Sequence, residues 1–335
     1  MKPEIEKRLS EVRNKNLDSR EVAAVAKIES QIGYGFVTYC LENNFVLVDP
    51  PPITEVTGSC ENFLTVFEVD YFGKPGYLTQ TGQLYLEAFL PIFNKVFCMG
   101  PSFRKEDVVD SRHAVAFTLL EIEVVDYDLE ELQVCIEGIF DYMIENVLRK
   151  CLKELALLGI DRSWIESLRP PYQVLTYGEA IEYLKLNWGD DLKHKYELEL
   201  TKMFGNKPIF VTHYPQEIKF FNMRVNRQNP RLVNSMDLIL PFSGEAIGAA
   251  EREEDKKILM RRLEESVMVK LMAEKNNVDK REIIKKFDWF TDLIERYPVR
   301  HAGCGIGKNR ITQCFLASKD IRACAAYFLN KESLM

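Results

Sequence analysis

The sequence has no run of about 18 apolar residues, so no membrane-spanning helix is expected. Its N-terminus, MKPEIEKRLSEVRNKN, is charged and lacks the apolar stretch of a secretory leader. The eight cysteines form no Cys-x-x-Cys pair, and the four histidines lack zinc-ligand spacing. That pattern speaks for free thiols in a reducing, cytoplasmic setting. Positive charge is not in excess either. The net charge is −7, which excludes a global pull toward nucleic acid and leaves only a local basic patch open. There is no internal repeat, low-complexity tract or Gly/Ser linker.

What remains is 335 residues of ordinary globular composition, enough for a full core in one large or two small domains. Residues 4–15 read as a short charged helix. Over 19–43, Val22, Val25, Ala26, Ile28, Ile32, Phe36 and Tyr39 share a helical side, and Ser19 is placed to cap it. Phe45–Val48 reads as a strand stopped by Pro50-Pro51-Pro52. Residues 75–90 read as strand, Gly turn and helix, and 127–160 as one long amphipathic helix. The range 170–205 suggests a helical insertion, 208–224 strand-loop-strand, and 232–252 a hairpin. Residues 255–275 and 279–297 are charged helices, and 301–316 is a Gly-rich turn entering a helix.

The most informative stretch is 96–125, VFCMGPSFRKEDVVDSRHAVAFTLLEIEVV, which reads as strand, loop, strand. It presents Arg104, Glu106, Arg112, His113, Phe117, Glu121 and Glu123. Cations for phosphates, a flat ring for a base and acids for Mg²⁺ suit a nucleoside triphosphate. A solvated basic hairpin with a core Phe would use the same residue types.

This stretch resembles motif 2 of the class II aminoacyl-tRNA synthetases, Phe-Arg-x-Glu, loop, Arg-His, Phe, and is most similar to the aspartyl/asparaginyl branch. Helix, strand and Pro51 resemble motif 1. Gly303-Cys304-Gly305-Ile306-Gly307-Lys308-Asn309-Arg310 resembles motif 3. No Gly-Lys-Ser/Thr follows those glycines and no early βαβ unit carries them, which disfavours a P-loop or Rossmann site. The resemblance implies an α+β fold: an antiparallel sheet flanked by helices. It implies a single catalytic domain over 1–335, with an N-terminal helical extension at 1–18, and a homodimer built on motif 1.

The same resemblance assigns the site. Arg104 would meet the α-phosphate and the amino acid's carboxylate. Glu106, Arg112, His113, Phe117 and Arg310 would complete ATP binding, with adenine between Phe117 and Arg310. Glu245 and Glu123 would hold Mg²⁺. Glu61, Gln83 and Arg252 would bind the amino acid. The catalytic set is Arg104, Glu245 and Arg310. Where aspartyl enzymes place Lys after Gln-Leu-Tyr, this sequence has Leu86, as asparaginyl enzymes do.

Departures from the family matter too. Ala116 and Asn309 replace family glutamates, and only Glu61 survives of the substrate lid. The family's anticodon-binding OB-fold is not expected in this sequence, and a similar state occurs in archaeal asparagine synthetases related to asparaginyl-tRNA synthetase. The expectation placed first is therefore a tRNA-independent ligase. It would use ATP and Mg²⁺ to activate aspartate, asparagine or a close analogue, and pass the acyl group to ammonia or another small amine. A truncated asparaginyl-tRNA synthetase is the alternative, with tRNA as partner. An inactive regulatory paralogue is a third.

Overall fold

The computed structural model describes residues 1–11, 18–56 and 63–333. Helix α1 (Pro3–Glu11) leads to α2 (Arg20–Glu42), where the Ser19 side chain accepts from the Val22 N–H as a cap. Short strands β1 (Val46–Leu47) and β2 (Ile53–Thr54) follow, then β3 (Glu68–Tyr71), β4 (Lys74–Leu78) and helix α3 (Gln83–Glu87). The expected hairpin forms as β5 (Lys95–Phe103) and β6 (Ala116–Val125).

The expected long helix is broken. It runs as α4 (Leu129–Lys150), opened by an Asp128/Glu131 capping box, and α5 (Leu152–Leu158), with Cys151 between them outside helical geometry. Helix α6 (Arg162–Ser167) comes next. The segment 170–205 is not wholly helical, because strand β7 (Gln173–Thr176) precedes α7 (Tyr177–Leu184) and α8 (His194–Met203). In 208–224 only β8 (Ile209–Thr212) is a strand. The hairpin of 232–252 is β9 (Ser235–Leu240) and β10 (Gly244–Glu251). The two charged helices are four: α9 (Lys256–Glu265), α10 (Val267–Asn276), α11 (Lys280–Lys285) and α12 (Asp288–Arg296). The glycine-rich segment is itself strand β11 (His301–Gly307), running into α13 (Lys308–Phe315).

The main sheet has eight strands in the order β1-β5-β6-β11-β10-β9-β8-β7. The six central strands are antiparallel neighbours, and β1 and β7 add parallel edges. A separate sheet, β2-β4-β3, stands beside it. One face of the main sheet is apolar. Leu120, Ile122 and Val124 of β6 join Ala302, Cys304 and Ile306 of β11 in the core beneath α2, α4 and α13. Strand alternation sends Glu121, Glu123, Gly303 and Gly305 to the other face. A second core joins α9–α12 to Tyr77 of the small sheet and to Leu84.

Helices α2 and α4 touch through Gly35, where a Cβ would lie 2.6 Å from the Met143 Cα. A larger residue cannot be relieved by rotating a side chain, because the neighbour is backbone. Gly35→Leu is expected to lower unfolding stability by about 3 kcal/mol. Urea unfolding checks this, and an unchanged midpoint would contradict the close helix contact.

Candidate active site

The floor of the site follows from register. Reading across the sheet, Cys98, Glu121, Gly305, Gly248 and Asp237 form one transverse row. Val96, Glu123, Gly303, Ala250 and Ser235 form the next. Glycine and alanine in the middle leave a shallow trough with acids at its sides. A cavity over this trough is lined by Gln83, Arg104, Glu106, Arg112, His113, Phe117, Glu245, Arg252 and Arg310. The structure thus gathers nine of the eleven residues expected to form the site. Glu61 lies outside the described residues.

At the cationic end, the motif 2 loop is closed by the Arg104 N–H donating to Val115 O at 2.8 Å. Asp110 shapes its tip by accepting from the Arg112 and His113 N–H groups at 2.8 and 2.9 Å. Burial raises the Asp110 pKa, but those donors and His113 outweigh it, and the net shift is downward. The chain's last segment clamps the loop: Ile321 N–H donates to Ser111 O and Val115 N–H to Leu329 O, both at 2.9 Å. The Arg104 guanidinium lies 5.0 Å from the Phe117 ring centre, a cation–π contact. In this structure Arg104, not Arg310, covers that ring. Arg310 NH1 instead donates to Ser243 O at 2.6 Å. Arg104 and Arg112 are among its charged neighbours. The Arg112 Nε is buried without a hydrogen-bond partner. Converging guanidiniums with an orphaned donor are suited to an anionic ligand such as a polyphosphate.

Glu245 faces the same cavity because a β-bulge between Glu245 and Ile247 interrupts the register, while Ile247 goes to the core. Its expected metal-binding companion, Glu123, is a correction. Glu123 lies one row away and is gripped by Arg252, whose NH2 donates to its Oε1 at 2.7 Å and whose Nε stands 3.2 Å from the same atom. The carboxylate that stands with Glu245 is Asp237. A Cβ on Gly248 would lie 3.3 Å from Glu245 Oε1 and 3.9 Å from Asp237 Oδ1. The protein walls around Glu245, and then Asp237, push the Glu245 pKa up. Lys219 Nζ donates to Asp237 Oδ2 at 2.6 Å. Burial alone would lower the Lys219 pKa, but Asp237 and Glu245 outweigh it, and the net shift is upward. Two crowded carboxylates, one of them held above its ordinary range, suit a hard divalent cation such as Mg²⁺.

The other end of the cavity is a buried charge quartet. Arg252 sits on Glu123, and Glu87 Oε1 lies 4.0 Å from the Arg252 Nε. Glu87 also accepts from Gln83 Nε2 at 2.6 Å and meets His301 Nε2 at 3.1 Å. His301 Nδ1 donates to Val299 O at 2.7 Å, which directs Nε2 at the acid. Burial lowers the His301 pKa, but Glu87 and Glu123 overcome this and the net shift is upward. Burial pushes Glu123 up to about 7 against the pull of Arg252. Two acids balanced by a guanidinium and an imidazolium leave the quartet near neutral. Glu87, Glu123 and His301 have metal-ligand spacing. Arg252 already pairs with Glu123 and stands beside Glu87, which suits the quartet to supporting Gln83 and Arg252. Glu121 lines the cavity beside it, accepting from the Thr81 hydroxyl and from the Gly82 N–H at 2.8 Å.

Several of these groups were not picked out from sequence. Asp237 had a signal, since it is a lone acid within the apolar strand Ser235–Leu240, whose residues are all buried. Glu87 and Glu197 had a weaker one: each lies on the buried face of its helix. Lys219 and His301 had none that periodicity could supply.

The fold has counterparts among known proteins. The family model described as tRNA synthetases class II (D, K and N) matches residues 5–331. An asparagine–tRNA ligase of Desulforamulus reducens is 34% identical over 293 residues, covering 86% of this chain and 64% of the relative. One from Pyrococcus abyssi is 32% identical over 320 residues, covering 94% and 70%. The chain thus spans about two thirds of the length of these curated relatives. Among solved structures, asparaginyl-tRNA synthetase from Pyrococcus horikoshii complexed with asparaginyl-adenylate superposes with a TM-score of 0.86 at 30% identity. It covers all of this chain, which spans 74% of that one. The Entamoeba histolytica asparaginyl enzyme gives 0.82 at 26% identity, over 98% of this chain and 72% of that one. The chain belongs to the class II tRNA synthetases, in their D, K and N group.

Proposed function

We propose that this chain is the catalytic core of an asparagine–tRNA ligase, activating asparagine with ATP and Mg²⁺. The observation that carries the reading is the two-ended cavity, a guanidinium cluster opposite a buried Arg252/Gln83 pocket, in a chain whose relatives are asparagine–tRNA ligases. Leu86 in place of a pocket lysine supports the amide over the acid. The relatives thereby favour the synthetase reading over the tRNA-independent amine ligation placed first from sequence.

Arg104 would bridge the amino acid's carboxylate and the α-phosphate, bringing the reacting atoms together. A carboxylate oxygen attacks the α-phosphorus, its bond to the bridging oxygen breaks, and pyrophosphate leaves. Arg104 meets the charge that develops on the α-phosphate oxygens. Arg112, His113 and Arg310 hold the outer phosphates. A divalent cation held by Asp237 and Glu245 would neutralise phosphate charge. Arg252 and Gln83, braced by Glu123 and Glu87, orient the amide side chain. A terminal hydroxyl of tRNA then takes the acyl group and AMP leaves.

A homodimer through α2 and β1 fits the exposed Tyr34, Leu41 and Leu47. The described cysteines are free and buried, as suits a reducing cytoplasm. No helix among the described residues is long and apolar enough to cross a membrane.

ATP–pyrophosphate exchange across the twenty amino acids tests the proposal. Asparagine is expected to support exchange at least about a hundred-fold faster than aspartate, since a pocket built for one hydrogen-bonding pattern leaves groups unpaired against the other. Exchange with aspartate followed by ammonia-dependent asparagine formation would replace this reading with the amine ligase. No exchange with any amino acid would favour the regulatory paralogue.

A further inference from the structure

The insertion at 170–205 sends one side chain into the cavity that the reading above does not use. Glu197, in the first turn of α8, is buried on the same helix face as Leu200 and Thr201. It lines the cavity with Glu245 and Arg310. Its Oε2 accepts the Glu245 backbone N–H at 3.2 Å. His194 Nδ1 stands 3.4 Å from the same oxygen. Gly244 makes this approach feasible. Its φ is +74°, and a Cβ there would overlap Glu197 Oε2 and lie 2.6 Å from His194 Nδ1.

A carboxylate beside a polyphosphate site repels the ligand unless it serves a cation already there. The cation is Arg310. It shares the cavity wall with Glu197, Glu245, Arg104 and Arg112, and its NH1 binds Ser243 O, next to the Gly244 against which the Glu197 carboxylate packs. Arg104 and Arg112 push it away, while Glu197 and the Ser243 carbonyl draw it onto the start of β10. Lys219 and Asp237 complete the charged groups around Glu245. We infer that Glu197 is a positioning residue for adenylation. Its negative charge holds Arg310 in place for the outer phosphates, and its oxygen fixes the backbone that carries Glu245. This rests on the ATP-handling reading above.

Glu197→Gln keeps the shape and the acceptor oxygen but removes the charge. It is expected to raise the KM for ATP in exchange by about ten-fold, the scale of one through-space charge interaction in a water-poor site. The KM for the amino acid should change by less than about two-fold. Gly244→Ala, which evicts the carboxylate, should reproduce that split, and adding Glu197→Ala to it should do no further harm. A wild-type KM for ATP in Glu197→Gln, or equal rises in both KM values, would overturn the inference. Calorimetric binding of ATP·Mg²⁺ separates its failure from that of the proposed function. If no amino acid supports exchange yet wild type binds ATP about ten-fold tighter than Glu197→Gln, the positioning role stands. Equal binding overturns it alone, and no binding by wild type overturns both.

Discussion

Arg104→Ala should lower ATP–pyrophosphate exchange by about 10³-fold or more while leaving the melting temperature within about 2 °C. Both halves follow from where the side chain sits. Its guanidinium stands over Phe117 at the rim of the cavity, not in either core, so its loss opens no cavity in the packing. The loop it belongs to keeps its backbone bonds to Val115 and to the C-terminal segment. What disappears is the forked donor that charge on the α-phosphorus oxygens would meet. Arg104→Lys should recover only a small part, because an ammonium is a point charge and cannot bridge two oxyanions in a plane. Wild-type exchange in the alanine variant would remove Arg104 from the chemistry.

The second large effect is on stability. Arg252→Met leaves Glu123 and Glu87 with only His301 to balance them, deep in the protein. Breaking such a buried network by removing one partner is expected to cost about 3–5 kcal/mol. For a chain of this size that is a fall of roughly 4–7 °C in melting temperature. The pH dependence has a definite sign. Glu123 already titrates near 7 in the folded protein, above its ordinary carboxylate value, so the folded state binds the extra proton. Its contribution to stability is therefore most favourable below that ordinary value and declines as pH rises through 7. Without Arg252 the folded value rises further, so the gap between wild type and variant should widen from pH 5.5 to pH 8. His301, raised by Glu87, works in the same direction, since its stabilisation fades as pH rises through its folded value. Adding Glu123→Gln to Arg252→Met should restore part of the lost stability without restoring exchange. A gap that is constant with pH would mean the quartet is not held by charge.

How far the sequence revealed this molecule depends on what each signal reports. The 96–125 hairpin was legible because alternation and a polar loop bound it on both sides, and it forms as Lys95–Phe103 and Ala116–Val125. Helix α2 was legible from its stripe and its Ser19 cap. The glycine-rich 301–307 was read as a turn, yet it is a central strand. Its glycines are tolerated there because Glu123 fills the space above Gly303, where a Cβ would overlap the carboxylate. That reason belongs to a neighbouring strand and is invisible along the chain. Strand β7 was missed because a four-residue edge strand beside two helices has little period to show. In the site, residue types and order placed nine side chains in one cavity, but pairing was another matter. Glu123, expected beside Glu245, pairs instead with Arg252, and Asp237 comes beside Glu245, because partner choice is set by register across strands.

Strand β10 carries Glu245 next to its start, and Arg252 follows one residue after its end. The seven steps between them amount to roughly 23 Å of extended backbone, at about 3.3 Å per residue. The proposed phosphate and amino-acid ends are thus graduations on one ruler. Losing a single residue between Gly248 and Arg252 would invert every later side chain and turn Arg252 toward the packed helices while Glu245 stayed in place. New substrate preferences in this scaffold can therefore arise by exchanging side chains at fixed spacing, and not by lengthening or shortening that strand.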